Sequence, residues 1–197
     1  ESTIELFDTL RQLLSAVPQR SSGSEIFNGG LPRAETEQVI EALSALQYSD
    51  AITKTFDGHA GGQGYADLKG NLLQQIRVVA GNQSIGSVKQ IDDDTIDMIS
   101  MLFEFILGDP KIPDAMKVLL AQLQIPIIKV AILDKGFFGN RSHPARRLLN
   151  GLAHAVVGWS DDKSRSKNSL YGKVESIVRR VLSDFSEDIQ LFATLAD

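Results

Sequence analysis

The chain has no cysteine, which excludes a disulfide framework, a thiolate nucleophile and a zinc-thiolate centre. That composition fits a reducing compartment, and the cytoplasm is the expected location. Histidines are scarce, at positions 59, 143 and 154, and none has a second metal ligand at a useful spacing. Also missing are an H-E-x-x-H helix, a G-x-S-x-G elbow and a phosphate-binding Walker loop, so an enzymatic reading has no named nucleophile or metal. No cofactor and no metal are expected, and the balance leans away from an enzyme. Basic charge is in deficit: the 197 residues carry 20 Lys and Arg against 25 Asp and Glu, a formal net charge of -5. General nucleic-acid binding, which needs a concentrated cationic surface, is therefore not expected.

Long apolar runs are lacking too. The most hydrophobic region, 96–133, is interrupted by Asp97, Glu104, Asp109, Lys111, Asp114, Lys117 and Lys129, so no run of the roughly 18–20 residues needed for a membrane span is expected. The first eight residues hold three acids and no base, unlike a secretory leader. The start without Met reads as a cut from a longer protein. With 43% hydrophobic residues the chain has enough apolar side chains for one core, read as a single domain over 1–197.

What the sequence does contain is helical periodicity. Residues 3–17 place Ile4, Leu6, Phe7, Leu10, Leu13, Leu14 and Val17 at three- and four-residue spacings before Pro18, and 20–31 reads as loop. Pro32 and Glu35 open a second helix ending near Asp50, the glycine-rich 56–64 reads as a connector, and 65–80 as a third helix. After a loop over 81–90, Asp92, Asp93 and Asp94 suit the cap and first turn of a fourth helix. A solvated cap outweighs a magnesium site there, because neighbouring side chains on a helix diverge. Apolar residues on every face of 95–107 predict a helix surrounded by others, the core of the fold. Pro113 and Asp114 start a fifth helix. Ile127, Ile128, Val130, Ala131 and Ile132 have strand propensity, but no partner strand is in evidence and Pro126 suits a helical first turn, so helix is predicted. Phe137 and Phe138 fall in the loop beyond. Ser142 is placed as the cap of the next helix, with Pro144 in its first turn and Leu148, Leu149, Leu152, Ala153, Val156 and Val157 on its apolar face. A polar linker over 161–168 leads to one or two closing helices in 170–196. The prediction is an all-α bundle or short array of helical pairs, with seven to nine helices.

Five residues are candidates for a ligand or partner site. His143 and Arg146 lie three residues apart at a helix start, with Arg147 beside them, and together they can grip an anion or a carboxylate. The plainer reading is an ordinary Ser-x-Pro helix opening whose arginines pair with Asp134 or with 92–94. Phe137 and Phe138 are either interface anchors or plugs of the protein's own core. His59 among glycines and the isolated His154 read as linker and as packed or surface residues.

The run 102–159, with LQIP, then KVA and Asp134, then Phe137-Phe138, then HPARRLLN, resembles the characteristic block of a bacterial family named for domain of unknown function 1631. The first hundred residues are consistent with that family but less distinctive. The resemblance brings no catalytic residues with it. It implies that some long relatives bear a cyclic-dinucleotide-binding PilZ-like barrel; here Asn82, Ser84 and Gly86 approach its D/N-x-S-x-x-G motif, with Gly one position early and no barrel expected to carry it. The leading expectation is a non-enzymatic interaction or regulatory module of a larger bacterial cytoplasmic protein with an unidentified protein partner, the scaffold or output part of a cyclic-dinucleotide-linked chain. The alternative is a helical domain binding a small anionic ligand or nucleotide around His143, Arg146 and Arg147.

Overall fold

Two short extended segments run side by side and each turns straight into a helix. In the computed structural model, which describes residues 32–48, 63–81, 85–157, 159 and 169–196, β1 (Arg33–Ala34) pairs in parallel with β2 (Ser87–Val88), Arg33 opposite Ser87 and Ala34 opposite Val88. This pair is the only sheet among the described residues. β1 leads into α1 (Thr36–Gln47), whose cap is Glu35; its backbone N–H donates to Gln38 Oε1 at 3.0 Å in a capping box. β2 leads into α3 (Gln90–Gly108), which begins after Lys89. Between them lies α2 (Gln63–Val79), ended through Gly81, whose φ of 67° is the left-handed conformation that glycine adopts without a side-chain clash.

The three aspartates thus lie inside the first turns of α3, not ahead of it. Asp92 is not solvated: it is buried and accepts the Thr36 hydroxyl at 2.9 Å, tying the starts of α1 and α3 together. Lys89 pairs with Glu35 across the same junction. The expectation for 95–107 also needs correction. Its helix is not enclosed on every face, for Met101 and Phe105 are 44% and 60% exposed while Ile99, Leu102, Phe103 and Ile106 are buried.

The enclosed helix is α5 (Gln124–Leu133), where every residue from Gln124 to Ile132 is buried. It follows α4 (Asp114–Ala121) across a tight break at Gln122 and Leu123. Pro126 sits in the first turn, where its missing N–H breaks no intrahelical bond. Helix, not strand, is what 127–132 forms. α5 packs against α1 and α3; α4 packs against α3, α7 (Pro144–Val156) and α8 (Leu170–Asp184), and α7 and α8 both pack against α9 (Gln190–Ala196). α8 is capped by Ser169, whose hydroxyl accepts from Gly172 N–H at 3.1 Å. The one-turn α6 (Gly136–Gly139) stands where a loop was expected for Phe137 and Phe138. One apolar cluster runs from Ala34 through Phe192.

The fold is all-α, with nine helical segments among the described residues. Phe103, Leu119, Leu123, Ile128 and Leu149 are core as the periodicity implies, whereas Leu107 is only partly buried. The stretch Asp114–Leu133, 20 residues, is apolar enough to cross a membrane by length and composition alone, a criterion that a buried core helix meets equally. In this fold most of it faces protein. The expected helix over 3–17, the loop over 20–31, His59 and its connector, Asn82 and Ser84, and the linker over 161–168 lie outside the described residues.

Candidate functional site: the corner between α5 and α7

The corner is organised by Asp134, the first residue after α5. One carboxylate oxygen accepts the Gly136 N–H at 2.7 Å, which turns the chain into α6. A Cβ at position 136 would stand 2.9 Å from that oxygen, so a larger residue there would displace the Asp134 carboxylate from its bond to the 136 N–H. The second oxygen faces His143 Nε2 at 3.3 Å. His143, not Ser142, caps α7: its Nδ1 accepts the Ala145 N–H at 3.2 Å, with Pro144 as the first helical residue. Ser142 is exposed and donates its backbone N–H to Asn140 Oδ1 at 2.9 Å. With Nδ1 accepting, the proton sits on Nε2 and points at Asp134. Burial pushes the His143 pKa below its ordinary value and also outweighs the opposing pull of Asp134.

Four of the five candidate residues converge here. Phe137 is fully buried, edge-on to Phe138 with centroids 5.1 Å apart and to the His143 ring at 5.4 Å. Arg146 is 2% exposed, and its Nη1 donates to Phe138 O at 3.2 Å and lies 3.5 Å from Asn140 O. Its guanidinium thus closes α6 onto α7, and the Asp134 carboxylate meets His143 where an arginine partner had been expected. Phe138 is partly buried. Arg147 points outward on the exposed side of α7.

Chemically this is a folded hinge of polar groups. Both imidazole nitrogens are engaged, one by a backbone amide and one by a carboxylate, so the ring positions the start of α7. His143 is buried at the cap of α7, and His154 is exposed near the helix end. Among the described residues no group of three His, Asp or Glu side chains is placed to hold a metal ion.

The sequence profile of the family described as protein of unknown function (DUF1631), 2nd domain, matches residues 33–188. The chain belongs to that family. No curated protein and no solved structure matches it. The family-like block from Leu102 to Trp159 includes α5, the Asp134 turn, α6 and α7. Its uncommon residue choices follow from the corner: Asp134 for two acceptor bonds, glycine for the close approach, Phe137 for the core, and His-Pro for cap and first turn.

Two further features escaped the sequence reading. Lys129 is fully buried in α5, its amine 3.2 Å from Gln47 Oε1 and 5.0 Å from the centroid of the Phe185 ring. Gln47 in turn donates through Nε2 to Leu182 O and Phe185 O, at 2.9 and 2.8 Å, at the end of α8. No periodicity signals such a clamp, although a lysine inside an otherwise apolar run is a weak pointer. The second feature is the exposed side of α3. Ile91, Met98 and Phe105 recur every seven residues, a spacing visible in the sequence and obscured by the apolar residues on the helix's other faces.

Proposed function

We propose that this chain is a non-enzymatic interaction module of a larger bacterial cytoplasmic protein, and that the outward face of α3 is where it meets its partner. The observation that carries this reading is the exposure of Ile91, Met101 and Phe105, at 56%, 44% and 60%, along one helix. Other exposed large apolar residues, Tyr48, Val78, Val118, Leu133 and Val157, stand on separate elements and need no explanation. A run of apolar side chains on one helix face is the type of surface a partner covers. The corner supports the same reading by a different route, since His143, Arg146 and Phe137 serve α6 and α7 and leave the binding role to another surface. The family description, which names a second domain, fits a module within a longer protein.

The test is site-specific photo-crosslinking in cells that express the full-length protein. A photoreactive residue at Met101 should form a discrete adduct that Phe105→Ser abolishes, while the same residue at Arg147 forms none. No discrete adduct at Met101, or an equal one at Arg147, would refute the reading.

A further inference from the structure

With no cysteine in the chain, sulfur chemistry is confined to its three methionines, Met98, Met101 and Met116. A thioether must meet its oxidant in water, so burial decides which of them reacts. Met116, on α4, is fully buried in the core. Met101 is 44% exposed and Met98 is half-buried, both on the outward side of α3. At 100° per residue, Ile91, Met98, Phe105 and Met101 fall within an arc of about 80°, so the two accessible sulfurs lie inside the apolar seam itself. The one kind of side chain in this protein that peroxide converts readily and reversibly is therefore gathered, where it is accessible, on the face assigned to a partner.

We infer that Met101, with Met98 beside it, is a reversible oxidation site that closes the outward α3 face to its partner; this rests on the interaction reading above. The oxidant is a peroxide. The thioether sulfur attacks one peroxide oxygen, an S–O bond forms as the O–O bond breaks, and the sulfur gives up two electrons. The departing hydroxide takes the proton of the transferred oxygen and leaves as water. Reversal uses two thiols of a sulfoxide reductase, which become a disulfide as the oxygen leaves in water. A thioether is flexible, polarizable and apolar, and fills gaps against an apolar partner. Its sulfoxide is polar and chiral, and covering it costs free energy unless a donor is supplied. Met101 stands four residues before Phe105, so the new dipole lies beside the exposed ring of the seam. Met116 is spared by burial, and the face changes character while the core stays packed.

Peptide mapping by mass spectrometry, after hydrogen peroxide treatment of the whole chain, tests the site. Met101 should gain one oxygen at least about tenfold faster than Met116, with Met98 between them and the melting temperature unchanged. In urea the three should react alike. Equal rates at Met101 and Met116 in the folded chain, or a melting temperature that falls as Met101 is oxidised, would overturn the proposal. Its effect on docking is read in cells expressing the full-length protein with the photoreactive residue at Ile91, which leaves both methionines in place. Hydrogen peroxide should cut the discrete adduct at least about tenfold, and the adduct should return once peroxide is removed, except in cells lacking methionine sulfoxide reductases. Met98→Leu with Met101→Leu, close in volume and inert to peroxide, should keep the adduct under the same exposure. Met98→Gln with Met101→Gln, polar like the sulfoxide, should lose it without any oxidant. An adduct that survives peroxide in the parent, or one lost equally in the leucine variant, overturns the oxidation proposal and leaves the interaction reading standing. No adduct at either Ile91 or Met101 in untreated cells removes the interaction reading and this proposal with it.

Discussion

Lys129 holds its ammonium 5.0 Å from the centre of the Phe185 ring, in full burial, joining the central helix α5 to the end of α8. Among the described residues no carboxylate lies within ion-pair distance of it. Burial lowers its pKa from the usual 10.5, and the charge of Glu187 raises it by less. Gln47 is the polar partner, accepting from the amine and donating to two carbonyls of the α8 end.

Removing Gln47 alone should therefore be severe. Gln47→Leu strands a buried ammonium and the Leu182 carbonyl and leaves Phe185 O only the Tyr48 hydroxyl at 3.5 Å, and should cost about 3–5 kcal/mol in urea unfolding. Lys129→Met removes the charge along with its desolvation cost and should change stability by less than about 2 kcal/mol. The double variant should be more stable than Gln47→Leu, because no charge is left orphaned. Strict additivity of the two changes would show that the clamp is not coupled.

Protonating His143 turns its Nδ1 from acceptor to donor against the Ala145 N–H. Its folded pKa lies below 6.5, so between that folded value and 6.5 the unfolded chain binds more protons than the folded one. The stabilising contribution is present above pH 6.5 and lost as pH falls through the folded pKa. Melting temperature should drop over that acidic window. His143→Asn, which keeps a capping acceptor without a titrating ring, should flatten this part of the profile. A parent whose stability rises on acidification below pH 6.5 would contradict the assignment.

Arg146 and Arg147 are neighbours with different surroundings. Arg146→Ala leaves the Phe138 carbonyl without its buried donor and should cost about 1–3 kcal/mol. Arg147→Ala, on the exposed side, should stay within about 1 kcal/mol. Thermal unfolding of the two single variants decides this, and equal losses would mean that the corner does not depend on Arg146.

Phe103 and Phe105 divide α3 into its two sides. Phe103→Ala should cost about 3–5 kcal/mol, because a fully packed ring leaves a cavity. Phe105→Ser should alter stability by no more than about 0.5 kcal/mol. A large loss at 105 would show that the outward face is covered in the folded chain and remove the basis for docking there.

Helix content, the helical state of 127–132 and most of the buried set could be read from the sequence alone, because three- and four-residue spacing and proline chemistry are local properties of the chain. Family membership was legible at 102–159 for a related reason: the corner demands unusual residues at consecutive positions. Which helix is central was not legible. α3 and α5 both look apolar all round, and only packing against α1 and α3 shows that Gln124–Ile132 is enclosed while Ile91, Met101 and Phe105 face outward. Nor could the sequence pair Asp134 with His143 or Lys129 with Gln47, the latter 82 residues apart. Such contacts depend on how finished helices are brought together, and tertiary packing alone decides which polar groups lose water and which partner each then finds.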